Sequence, residues 1–80
     1  MFALVSVKQH LDFQKWAAFS ARATSNVEKG AATRRLDETA WLIDLTADSL
    51  LFADILQAAS HLGIECEFAF LQESPQFITL

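Results

Sequence analysis

Glycine, proline and cysteine are scarce in this 80-residue chain, at two, one and one, and tyrosine is missing altogether. A single cysteine, Cys66, excludes an internal disulfide and the small secreted scaffolds that several disulfides staple together. Two glycines cannot build a phosphate-cradling loop, and no Gly-x-Ser-x-Gly elbow surrounds any serine, so those nucleotide-binding and hydrolase signatures are excluded. No run approaches the roughly 20 apolar residues that span a bilayer. The apolar opening, Met1 to Val5, lacks the basic start and small-residue cleavage site of a secretory signal, so a cytoplasmic protein with no membrane partner is expected.

Positive charge is missing from more than half of the chain. Lys8, Lys15, Arg22, Lys29, Arg34 and Arg35 all precede residue 36, accompanied there only by Asp12 and Glu28; the remaining 45 residues carry eight acids and no Lys or Arg. The formal net charge is −4. Such a division acts on steering and partner choice rather than on fold, because it supplies complementary patches that can meet head to tail.

What is abundant is apolar surface, with 52% hydrophobic residues, seven Phe and two Trp. This composition belongs to a folded chain and not to a disordered one. Eighty residues make one domain, spanning 1–80, and a domain this small struggles to hide so much apolar surface alone. A homo-oligomer, most simply a dimer, or a protein-bound state is therefore expected.

The two glycines punctuate the chain. Gly30 and Gly63 each follow a stretch of helical periodicity, where a residue tolerant of positive φ is expected to stop the helix. At about 100° per residue, Phe13, Trp16, Ala17, Ser20, Ala23, Thr24 and Val27 share one sector. Lys15, Arg22 and Lys29, seven residues apart, form a solvent-facing basic stripe, and Asp12 and Lys29 suit the two ends of the helix dipole. A helix from about Asp12 to Lys29 is expected. Before Gly63, Leu51, Phe52, Ile55, Leu56, Ala58, Ala59 and Leu62 face one way and Asp54, Gln57, Ser60 and His61 the other; Thr46 or Asp48 supplies the cap.

Around these helices lie stretches of two-residue alternation: Phe2 to Val7, a weak Thr33 to Leu36, Ala40 to Leu45 after the turn Asp37-Glu38-Thr39, and Ile64 to Leu71. In the last, Ile64, Cys66, Phe68 and Phe70 point opposite to Glu65 and Glu67. Ser74-Pro75 marks a turn before Phe77 to Leu80, a short fifth strand. Strand, helix, strand, strand, helix, strand is the ferredoxin-like α+β arrangement, an antiparallel sheet with two helices on one face and its first and third strands at the centre. The other face stays open, and alternation leaves apolar side chains there whichever set turns outward, Phe2 and Leu4 or Ala3, Val5 and Val7.

Candidate chemistry is sparse. His10, two residues before Asp12, stands where a general base can reach a cleft, although a polar residue at a loop or helix start is the plainer reading. His61, near the end of the second helix, suits its negative pole. Neither has a metal-ligating neighbour at the right spacing, and Cys66 on an apolar strand face reads as a small core residue, so no catalytic, cofactor or metal site is expected. Glu65 and Glu67 can hold a cation or an arginine across an interface, although a pair on a solvated strand face is the usual explanation. Three cations on one helix make a weak footprint for direct nucleic-acid binding in a chain of pI ≈ 4.9. Arg34 and Arg35 fit a guarded edge strand.

The opening strand followed by Asp12-Phe13-Gln14-Lys15-Trp16 and Phe19 resembles small proteins of the dimeric α+β barrel group, which includes antibiotic-biosynthesis-type monooxygenases. The resemblance implies sheets of two subunits packed face to face, and it makes Trp16, Trp41 and His10 the residues to inspect in a cavity between helices and sheet. Three readings follow. The first is a non-enzymatic interaction or regulatory module that self-associates through the open sheet face or an edge strand, with Lys15, Arg22, Lys29, Glu65 and Glu67 toward its partners. The second is a cofactor-independent monooxygenase or isomerase. The third is a small acidic inhibitor, phage- or plasmid-borne, of a nucleic-acid-binding complex.

Overall fold

The computed structural model describes residues 1–30 and 32–75. Six elements follow one another: β1 (Phe2–Val7), α1 (Phe13–Lys29), β2 (Arg34–Asp37), β3 (Ala40–Asp44), α2 (Ser49–Leu62) and β4 (Cys66–Leu71). The strands form one four-stranded antiparallel sheet in the order β2-β3-β1-β4, so β1 and β3 are central. The fold is α+β. The expected fifth strand, Phe77 to Leu80, lies outside the described residues.

Register decides which residues share a face, since directly opposed residues of antiparallel strands point the same way. Ala3 opposes Ile43 and Phe70, and Val5 opposes Trp41 and Phe68. Ala3, Val5, Val7, Trp41 and Ile43 are buried together with Phe19 and Ala23 of α1 and with Ile55, Ala58 and Ala59 of α2. Both helices therefore cover the same face. Phe19 meets Trp41 edge to face, with ring centroids 6.1 Å apart, and Trp16 stacks on Phe19 from outside. Trp41 is buried with its Nε1–H unpaired among the described residues, and Arg35 lies over its ring at 5.5 Å.

The apolar sector of α1 is turned from the expected one. Phe13 is 80% exposed, whereas Phe19 is fully buried. The buried line runs through Trp16, Phe19, Ala23 and Val27, because packing against α2 and the sheet fixes the rotation of a helix whose alanines and serines distinguish its sides poorly. Asp12 caps α1, its carboxylate accepting from the amides of Gln14 and Lys15.

The two glycines end their helices for different reasons. Gly63 adopts φ 68°, and the amides of Gly63 and Ile64 close back on Ser60 and Ala59. Gly30 does not use positive φ; its φ is −72°. A Cβ there would lie 2.9 Å from Leu51 Cδ2 and from Thr33, so the chain needs the missing side chain for a close crossing. Asp48 begins α2 but gives it no side-chain cap. Its carboxylate instead accepts from the Ala32 amide and the Thr33 hydroxyl, at 2.9 and 2.8 Å, tying the β2 approach to the start of α2.

Candidate interaction surfaces

The helix-free face of the sheet is built by the alternate residues. Phe2 and Leu4 of β1 lie beside Asp44 and Leu42 of β3 on one side and beside Leu71 and Ala69 of β4 on the other. Leu42, at the centre, is 5% exposed; Phe2, Leu4 and Leu71 are half-buried and Ala69 is exposed. Of the two outward sets open to the sequence, the structure thus selects Phe2 and Leu4 with Leu42 and Asp44. Polar groups border this apolar patch, with Asp44 at one end, Ser6, Lys8, Glu65 and Glu67 at the other, and exposed Arg34 of β2 opposite Leu42.

The expected partner-binding charges are scattered. Lys15 and Lys29 are exposed at the two ends of α1. Arg22 is turned toward α2, where its guanidinium pairs with Asp54, to which Asn26 also donates. Asp54, expected to face solvent, thus joins the two helices, so the basic stripe is interrupted at its middle member. Glu65 and Glu67 sit at the start of β4, on the side of the open face, and the Lys8 amide donates to the Glu65 carbonyl at 2.9 Å.

His10 lies outside the space between helices and sheet. It lines a surface cleft of about 330 Å³ with Lys8, Gln9, Leu11, Gly63 and Glu65. Its Nδ1 accepts from the Asp12 amide at 2.9 Å, which gives it a structural task at the start of α1. The helix-sheet space is filled instead by Trp41, Phe19, Ile43, Ile55 and Val5, so Trp41 and His10 do not share a cavity. Cys66 is half-buried against the core; burial, with a smaller contribution from Glu67, pushes its thiol up, which keeps it protonated and weakly nucleophilic at neutral pH. Among the described residues, no group of three His, Cys, Asp or Glu side chains converges as a metal site would require. Among them, too, no helix is long and apolar enough to cross a membrane.

Sequence reasoning missed one feature. Phe68 and Phe70 point to the helix side, as alternation implies, yet stay 48% and 54% exposed. With Phe52 of α2 they form an edge-to-face triad, with centroids 5.5 to 5.9 Å apart, at the margin of the molecule. The signal was present in position rather than pattern, because a final strand on the sheet edge extends past the helix that covers its neighbours.

Compared with protein-family models, curated proteins and solved structures, this chain matches none. Its class is set by architecture alone, a small α+β domain with one helix-covered sheet face and one that no helix covers among the described residues.

Proposed function

We propose that the chain is a non-enzymatic interaction module of ferredoxin-like type that pairs with a second copy through its open sheet face. The observation that carries this reading is the apolar row of half-buried Phe2, Leu4 and Leu71 with exposed Ala69, around a buried Leu42, which no helix covers among the described residues. An apolar sheet face left without a covering layer in so small a domain favours burial against a like surface. Lys15 and Lys29 on α1, and Glu65 and Glu67 by β4, remain at the periphery, where charges act mainly on the rate and orientation of encounter. A single, weakly reactive Cys66 suits a reducing cytoplasmic setting.

The monooxygenase-like alternative needs a polar or titratable group in a cavity between helices and sheet; the filled core and the placement of His10 outside it favour the interaction module instead. Light scattering across a concentration series tests the reading. The expected mass is twice the monomer's 8.9 kDa. Ala69→Glu, on the open face, should return it to one copy, while Ala53→Glu, on an exposed part of α2, should leave it doubled. A wild-type monomer at high micromolar concentration would overturn the proposal.

A further inference from the structure

The β4 edge is a second surface, distinct from the open face and independent of whether that face closes a dimer. Among the described residues β4 has a single strand neighbour, β1. The Lys8 amide bonds the Glu65 carbonyl, and bonding alternates along an antiparallel ladder, so Glu67, Ala69 and Leu71 direct their amides and carbonyls to Ser6, Leu4 and Phe2. The amides and carbonyls of Cys66, Phe68 and Phe70 therefore point away from the sheet, as a template for another strand. The opposite edge is blunted: β2 has four residues and a register shift between Arg35 and Asp37, and Arg35 folds back onto the Thr24 hydroxyl and the Asp37 and Glu38 carbonyls.

The two sides of the β4 edge ask for different side chains. Toward the helices stand the half-exposed rings of Phe68 and Phe70, backed by Phe52. Toward the open face stand exposed Glu67 and, just before the strand, exposed Glu65, while exposed Glu73 follows in a bend; Lys8, across from Glu65, is the nearby cation, and no Lys or Arg follows Arg35 in the chain. Self-pairing is disfavoured by this arrangement. A copy paired antiparallel on this edge adds its own Glu65 and Glu67 to the pair already there, gathering four carboxylates along one seam.

We infer that the β4 edge accepts an extended segment of another protein in which apolar and basic residues alternate, added as a fifth strand. Its apolar side chains pack on Phe68, Phe70 and Phe52, its basic ones meet Glu67 with Glu65 or Glu73, and its backbone pairs with Cys66, Phe68 and Phe70.

The probe is a capped peptide of alternating Lys and Val, about seven residues long to match a strand, added to the full chain. Amide hydrogen exchange is followed by NMR. Saturable binding is expected, with protection gained at the Phe68 and Phe70 amides. A peptide with Glu in place of Lys, and one N-methylated along its pairing edge, should each bind at least about tenfold more weakly, and Glu67→Lys in the protein should do the same to the Lys-Val peptide. Binding that survives N-methylation, or that leaves the Phe68 and Phe70 amides unprotected, would mean mere charge adhesion and overturn the proposal. So would protection of those amides that is present without peptide and grows with protein concentration, since that marks self-pairing, and so would absence of binding at millimolar peptide.

Discussion

At single positions, the two glycines show how one residue type serves two physical ends. Gly63 sits in the left-handed region with open space where a Cβ would go, whereas Gly30 has ordinary φ and no space at all. Gly63→Ala should therefore cost about 1 to 2 kcal/mol of backbone strain, and Gly30→Ala about 1 to 3 kcal/mol of overpacking against Leu51 and Thr33. Asparagine separates the causes in denaturant unfolding. At 63 it should recover part of the loss, because Asn tolerates the left-handed region; at 30 its larger side chain should worsen it. The same direction of change at both sites would show that one cause serves both. The sequence marked both glycines as helix stops and gave positive φ as the reason; that reason holds at 63 but not at 30, where the collision that forbids a side chain comes in part from Leu51, distant in the chain.

Among the elements, α1 shows where a sequence pattern stops being informative. Its limits were legible from Asp12, Lys29 and Gly30, and the strands from their alternation, because both signals are local. Its rotation was not. Phe13 and Phe19 are equally apolar, and only tertiary packing decides that Phe19 is enclosed by Trp16 and Trp41 while Phe13 stands in solvent. Phe19→Ala should accordingly lose about 3 to 5 kcal/mol, and Phe13→Ala no more than about 0.5 kcal/mol; comparable losses in urea unfolding would refute the rotation described. The Arg22 and Asp54 pair was hidden for the same reason, each residue reading as solvent-facing on its own helix. The β2–β3 hairpin, by contrast, is held by a local device. Asp37 accepts from the Thr39 amide at 2.6 Å and its hydroxyl at 3.0 Å, and these bonds hold its carboxyl below the ordinary range. A carboxyl depressed by folding stabilises fully above its unfolded pKa, about 3.9, and loses that contribution as pH falls through its folded value. The stability difference between wild type and Asp37→Asn should thus be constant near neutrality and shrink below about pH 4. A difference that persists unchanged into strong acid would assign it to something other than the carboxylate.

For the molecule as a whole, the open face was legible as a consequence of topology, since two helices on one side of a sheet leave the other side bare. The aromatic margin at Phe68 and Phe70 was not, because hydropathy does not tell how far α2 reaches over an edge strand. The proposed pairing through the open face would couple folding to concentration: if two copies unfold together, a tenfold rise in protein concentration adds about 1.4 kcal/mol per dimer, or about 0.7 kcal/mol per chain. For a domain of this size that raises the unfolding midpoint by about 3 to 5 °C per tenfold. Ala69→Glu places a carboxylate in the apolar patch and should flatten this dependence, its midpoint holding constant across the series. Raising salt should alter the wild-type slope little, since apolar burial and not charge drives the closure. A wild-type midpoint that ignores concentration would remove the paired state, and a slope that survives Ala69→Glu would place the contact somewhere other than the sheet.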